Sequence, residues 1–372
     1  MFRVALAGAW LGLCACKVYD PTLLRDASSS TCERVVPPPR PDVSDDGSME
    51  MVFALRDVFL DQGEAWRTTG FDLDGRCSYG AVPDVECRPP ARGAPHVLDG
   101  EGGIDNSFGE NLFPLVAVTL VGLEGQARAA QAAGDGTVVL RIRGYNGRAD
   151  DPRVDVTLGF AVAATPGPGG GRPPAQPIFG PEGPRTADGQ PLPPPQWAGE
   201  DFFWVRDDWF VMGDENRPLV RDDNAYVAGW RAVMALPERT ELLFQSSAGS
   251  VVVRLTGGFA VGTLSRDLAR LEPAVVAGRW AITDILQTAE TVGICPGSPQ
   301  YEILRNQLDR IADLRATPGT GGPGVECNAI SVGVRFTGYR AHWAGLAPAP
   351  PRRDACAARA DGGVDGGRPD GG

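Results

Sequence analysis

The chain is almost without lysine and histidine: Lys17 is its only lysine, and His96 and His342 are its only histidines, among 372 residues. Two distant histidines with no His-x-x-x-His spacing leave a zinc hydrolase centre unsupported. No Gly-x-Ser-x-Gly elbow, phosphate-binding loop or dinucleotide fingerprint occurs. The glycines at 167 and 169–171 sit in a Pro-rich tract with no strand before them. Positive charge is in deficit as well. With 35 basic against 47 acidic side chains the formal charge is −12, so nucleic acid is not an expected partner, because phosphate binding needs clustered Lys and Arg. The use of Arg in place of Lys, with abundant Ala, Gly and Pro, reads as the codon bias of a GC-rich genome. Past the first residues, no uncharged apolar run approaches the roughly 20 residues of a membrane-spanning helix.

What is present begins at the N-terminus. Phe2-Arg3 gives a minimal basic start and Val4 to Leu13 a short apolar run, which suits an export signal. Leu13-Cys14-Ala15-Cys16 resembles the lipobox of bacterial lipoproteins, whose last cysteine receives lipid. The resemblance implies a signal peptide over 1–15 and a mature chain that starts at acylated, palmitate-bearing Cys16. It also implies a membrane partner held through that lipid. Lys17 beside the acylated cysteine favours sorting to the outer membrane.

Six cysteines remain: Cys32, Cys77, Cys87, Cys295, Cys327 and Cys356. An even number in an exported chain points to disulfides, and six allow fifteen pairings. Proximity in sequence selects Cys77 with Cys87, a short loop whose closure contributes about 3 kcal/mol in the chain-entropy model. Cys295 with Cys327 could staple the ends of a helical segment, which would leave Cys32 with Cys356; the sequence itself leaves the connectivity beyond Cys77–Cys87 open.

Composition divides the chain. Residues 16–47, with Pro37-Pro38-Pro39 and Asp45-Asp46, read as a tether that lifts a domain from its anchor. A β-rich body is expected over 48–272. Within it, Thr137–Arg143 and Val154–Phe160 alternate as strands around the Asn146-Gly147 turn. Asn111 to Ala133 has helical spacing, and Gly257-Gly258 reads as a tight hairpin. More than half of residues 164–196 are Pro or Gly, which marks a surface insertion. Apolar spacing near Trp280–Leu286 and Tyr301–Leu314 predicts helices. These predict a helical C-terminal part with a final strand over 273–344, followed by a disordered tail over 345–372. The expected fold is mainly β, a sandwich-like (jelly-roll or concanavalin-like) body with a few helices.

Two acid-rich segments carry the candidate chemistry. Asp72, Asp74, Asp99, Asp105 and Asn106 lie in Gly-rich turns; Asp-x-Asp-Gly spacing offers oxygens to calcium, which takes six to eight of them. Neither turn completes an EF-hand, and Asp, Asn and Gly also simply make turns, the reading that the sequence favours. The second segment, 201–224, interleaves acids with Phe202, Phe203, Trp204, Trp209 and Phe210. Rings beside carboxylates suit a glycan surface on Trp204 and Trp209, or a two-carboxylate glycosidase. Core packing of those rings is the simpler reading.

Gly70-Phe71-Asp72-Leu73-Asp74-Gly75, Gly102-Gly103-Ile104-Asp105-Asn106-Ser107-Phe108, Cys16-Lys17-Val18-Tyr19-Asp20-Pro21 and Cys327-Asn328-Ala329-Ile330-Ser331-Val332-Gly333 together resemble uncharacterised myxobacterial-type surface lipoproteins. The resemblance implies an envelope location and no activity. The functional expectation is a non-enzymatic binding or structural module whose ligand is a glycan or an envelope protein. A calcium-dependent carbohydrate-binding domain and a carboxylate glycosidase are the alternatives. Whether the 201–224 rings face inward or line a groove separates them.

Overall fold

The computed structural model describes residues 32–44, 47–78, 84–164, 175–180, 183–246, 249–349 and 355–356. The signal peptide, Cys16, residues 165–174 of the insertion and the end of the tail from 357 lie outside them. The chain divides into a first unit ending at Glu33, of which Cys32 and Glu33 are described, and a second from Arg34 onward. The architecture below is that of the second unit.

Strands follow one another as β1 (Met49–Phe59), β2 (Asp135–Tyr145), β3 (Asp151–Ala164), β4 (Ile178–Gly180), β5 (Gly183–Arg185) and β6 (Phe202–Arg206). They continue as β7 (Val220–Ala228), β8 (Arg231–Ala235), β9 (Thr240–Ser246), β10 (Gly249–Leu264), β11 (Arg270–Ala281) and β12 (Ala329–Ala347). Eight of these, β1, β2, β3, β7, β8, β10, β11 and β12, pair antiparallel in that order. β12 then pairs back on β1, with Val52 opposite Ala341 and Phe59 opposite Arg335. The result is a closed eight-stranded barrel, not the expected sandwich. Both architectures produce the same period-2 alternation along each strand. What distinguishes them is the closing pair, a contact between the two ends of the folded chain that no local pattern encodes.

The barrel is filled. Residues opposite one another share a face of the sheet, so Phe53, Leu140, Leu158 and Val220 form one row. Met234, Ala260, Val276 and Val334 form another on the far side. All eight are buried and belong to one apolar cluster with Met51, Ile142, Phe160 and Phe336. Eight strands enclose a space that side chains can fill, and here they do. β6 is wedged between the ends of β3 and β12, parallel to β12, while β9 lies along the first half of β10. Thr256 and Phe259 flank a register shift in β10, so Gly257-Gly258 is a bulge within one long strand instead of the expected hairpin. Glycine in a strand interior marks such sites.

The helices are α1 (Phe113–Thr119), continuing a π turn over Phe108–Leu112, then α2 (Leu123–Ala132), α3 (Ile282–Thr291) and α4 (Pro299–Ile311). The segment expected as one helix over 111–133 is broken at Gly122, whose φ of +77° suits glycine. α3 and α4 lie where apolar spacing placed helices. Ser298 caps α4 by accepting from the Tyr301 N–H at 3.2 Å, with Pro299 at its first turn. They do not make a helical part, because they are the connection from β11 to β12, and Pro273 itself lies inside β11.

Two further expectations are corrected. The second half of the supposed tether is laid onto the barrel: the Val35 N–H donates to the Gly102 carbonyl at 2.8 Å, and the Tyr226 hydroxyl to that of Pro38 at 2.6 Å. The tail does not begin at 345, because β12 runs to Ala347 and Cys356 is bonded to Cys295.

Candidate functional site

The loop-rich segment between β1 and α1 is spread over the outer face of β10, β11 and β12. Phe71 packs there against Val233, Val261 and Ala277. The approach is close enough to exclude any side chain at 333, since a Cβ on Gly333 would come within 2.3 Å of the Thr69 carbonyl oxygen. Asn106 is the clasp of this cover. Its amide nitrogen donates to Gln62 Oε1 at 2.8 Å and to the Thr69 carbonyl at 2.7 Å. Its Oδ1 accepts from the N–H groups of Gly333 at 3.0 Å and Gly109 at 3.1 Å. Every polar atom of that side chain is occupied, so Asn106 is a structural tie and not the expected cation ligand. The adjacent Ser107 N–H donates to Ser331 Oγ at 2.7 Å, continuing the seam.

Three of the four aspartates singled out in the sequence share one cluster, and the fourth, Asp99, lines the cavity beside two of them. Asp72, Asp74 and Asp105 each present an oxygen, and these oxygens lie within 4.8 Å of one another. Backbone donors hold one oxygen of each acid. Leu73 N–H donates to Asp105 at 2.6 Å, Gly75 N–H to Asp72 at 2.6 Å and Arg76 N–H to Asp74 at 2.8 Å. Ser78 N–H donates to Asp99 at 2.6 Å. Asp74, Asp99 and Asp105 share the wall of a cavity of about 10 Å³ with Ser78, His96 and Asp313. That volume admits a single water-sized species.

Charge is unevenly supplied here. Arg34 pairs with Asp72. Arg279, 1% exposed, pairs with Glu86 at 2.6 Å and donates to the carbonyls of Leu73 at 2.6 Å and Arg315 at 2.8 Å. Asp74, Asp99, Asp105 and Asp313 have no cation paired to them among the described residues. Burial first, then the neighbouring Asp72 and Glu86, lifts the Asp74 carboxyl to about 6. Burial, with Asp74 and Asp72 alongside, lifts Asp99 to about 7. Asp105 is held well above the ordinary carboxylate value by burial and by Asp74, Asp99 and Asp313. Burial raises Asp313 to about 7 against hydrogen bonds from Ser331. A carboxylate taken out of water beside like charges resists ionisation for both reasons.

Sequence reasoning missed Glu86, Asp313, Arg279 and Ser331. Arg279 and Ser331 were visible as polar residues interrupting the apolar strands Val275–Trp280 and Ile330–Phe336. Asp313 carries no local signal, since the turn after α4 brings it to acids more than two hundred residues earlier.

The disulfides also depart from expectation. Cys87 is bonded to Cys327 and Cys295 to Cys356; Cys32 and Cys77 are disulfide-bonded as well. The expected Cys77–Cys87, Cys295–Cys327 and Cys32–Cys356 pairs are therefore wrong. Short spacing was the wrong guide, because residues 86–88 run beside 325–327, with the Arg88 N–H on the Val325 carbonyl at 2.9 Å. The Cys87–Cys327 bond closes a loop of 240 residues, worth about 5 kcal/mol in the chain-entropy model.

The second acid-rich segment is built differently. Phe202, Phe203, Trp209 and Phe210 are buried, Trp209 to 5% exposure. The half-buried Trp204 has its Nε1 buried, and its ring lies so near Gly345 that a Cβ there would sit 3.0 Å away. The buried Trp209 offers no free ring face of the kind expected of a glycan site, and Trp204 is half-buried. The acids are dispersed and locally satisfied. Asp207 accepts from the Ala349 N–H at 2.9 Å, Asp208 pairs with Arg206 at 2.6 Å and Asp222 accepts from the Ala235 N–H at 2.8 Å. Glu215 pairs with Arg141 at 2.8 Å. The rings fill space and the acids finish turns.

No family model, no curated protein and no solved structure matches this chain.

Proposed function

We propose that the protein is a lipid-anchored module of the cell envelope, held through Cys16 and serving a non-enzymatic binding or structural role. The observation that carries this reading is the set of disulfides. Bonds such as Cys87–Cys327 and Cys295–Cys356 persist in oxidising compartments outside the cytosol. Coupled with the Leu13-Cys14-Ala15-Cys16 motif, they favour export followed by lipid attachment. The filled barrel supports a role on the outer surface, since packed side chains take the place that a small ligand occupies in other eight-stranded barrels. The inward rings of the 201–224 segment favour this reading over a glycan-binding groove or a two-carboxylate glycosidase.

Fractionation of cells that express Cys16→Ser tests the anchor. The variant is expected in the soluble fraction, without incorporated palmitate and with its thermal stability unchanged. Retention in the membrane fraction, with the same detergent partitioning as the parent, would overturn the lipid-anchored reading.

A further inference from the structure

We infer that the apolar turn between α1 and α2, with Val118 and Val121 at its tip, is the surface by which the body rests on a lipid bilayer. From Phe113 to Leu123 the sequence carries no charged residue, and Thr119 is its one polar side chain. Surface turns are ordinarily made of Gly, Asn, Asp, Ser and Pro. In this turn Gly122 alone follows that rule, at a φ of +77°. The backbone closes the turn, with the Leu120 N–H on the Val116 carbonyl at 2.7 Å and the Leu123 N–H on that of Leu120 at 3.1 Å. One side of it serves the core: Phe113, Leu123 and Ala127 are buried, and Val116, Ala117 and Leu120 pack against the apolar cluster. The other side is bare. Val118 is 79% exposed and Val121 78%, so each gains by leaving water for an apolar medium.

Two observations assign the occupant. The first is charge. The chain is formally −12, and acidic surface is repelled by anionic headgroups. At the tip that repulsion is absent. Glu124, the nearest acid after it, is held by the fold: it accepts from the N–H groups of Leu60 at 2.8 Å and Asp61 at 2.5 Å, and pairs with Arg128 at 3.5 Å. Met212 is more exposed still, but the exposed Asp214 and Glu215 follow it and make that loop a poor membrane contact. The second observation is the length of chain ahead of the body. Cys32 lies sixteen residues after Cys16, a span of at most about 55 Å when fully extended. A lipid on Cys16 holds the body within that distance of the bilayer, at an effective concentration that populates a contact too small to retain a free protein. This step rests on the lipid-anchored reading. The lipid then sets the distance from the membrane, and the valine tip, entering the headgroup region as interfacial apolar side chains do, sets the orientation.

The test places an indole at the tip, Val121→Trp, in the acylated protein reconstituted into phosphatidylcholine vesicles with and without brominated acyl chains. Bromine quenches only indoles that enter the bilayer. With the parent's emission subtracted, the added indole is expected to emit at shorter wavelength and to lose at least half of its intensity to bromine. Adding Val118→Asp should restore most of that intensity while shifting the melting temperature by no more than about 1–2 °C, because the side chain is exposed. Met212→Trp should remain unquenched. An indole at 121 that bromine leaves untouched, in protein that floats with the vesicles, overturns the inference. So does concentration-dependent sedimentation of the vesicle-free protein that Val121→Asp abolishes, which would give the tip to a second copy. If the protein does not float because Cys16 bears no lipid, the same measurement is made on the Cys16→Ser chain held to nickel-chelating lipid by a hexahistidine ahead of residue 16. Quenching there supports the tip and refutes the anchor alone; its absence overturns the tip.

Discussion

Two segments of this chain, 70–106 and 201–224, are alike in composition and opposite in construction. Each is rich in aspartate. In 201–224 most rings go inward, and the acids, apart from the buried Asp201, stay near solvent with Arg206, Arg141 or backbone N–H groups at hand. In 70–106 the clustered acids themselves go inward, and of those positive charge reaches only Asp72 and Glu86 among the described residues, while the exposed Asp84 pairs with Arg76. Acid content therefore says little about a site. What matters is whether the fold supplies a partner for each charge that it buries, and in the first segment it leaves several without one.

The comparison is broken most severely at Arg279. Arg279→Ala leaves Glu86 buried without its cation and releases the Leu73 carbonyl that lies between Asp72 and Asp74. The expected loss is about 5 kcal/mol, at the upper end for breaking a buried ion pair. Chemical denaturation measures it, and a loss below 1 kcal/mol would mean that this pair does not hold the loop cover. In the other segment the weight rests on rings. Trp209→Ala should lose about 3 kcal/mol through a cavity in the packing. If Trp209→Ala instead melts like the parent and gains or loses affinity for glycans, the ring faces solvent after all.

The smallest effect sharpens the contrast through pH. The Asp74, Asp99 and Asp313 carboxyls titrate near 6 to 7 in the folded chain and near 4 when unfolded. Between those values the folded state binds more protons, so this contribution is fully present below about pH 4 and is lost as pH climbs through about 7. The protein should thus melt a few degrees higher at pH 5 than at pH 7.5. Asp99→Asn should flatten that slope, and Asp214→Asn, at the exposed turn of the other segment, should leave it unchanged. A slope of opposite sign in the parent would mean that cations or donors already neutralise the cluster.

Much of the strand pattern was legible. Thr137–Arg143 and Val154–Phe160 alternate because one face of each meets the interior, and both are strands joined through the Asn146-Gly147 turn. Barrel closure was not legible, because the β1–β12 pairing depends on how twist and register accumulate around the ring. At the site, Asp-x-Asp-Gly and the later Asp-rich turn pointed to Asp72, Asp74 and Asp105, whose oxygens lie within 4.8 Å of one another, and to Asp99 in the cavity wall beside them. Asn106 was misread because an amide beside acids looks like an oxygen donor until both of its ends are seen to be engaged. The disulfides were misread for a related reason: spacing measures distance along the chain, and Cys87 meets a partner carried in by the approach to β12.

One consequence of the closed ring concerns the order of the chain itself. β1 and β12 run antiparallel with Val52 opposite Ala341, which brings the start of the first barrel strand and the end of the last to the same rim. A gene reopened in the β7–β8 turn at the exposed Gly229, with the old ends spliced across that rim, would encode a circular permutant that retains all eight strand pairings. The ring constrains which strands are neighbours, and leaves free which of them is synthesised first.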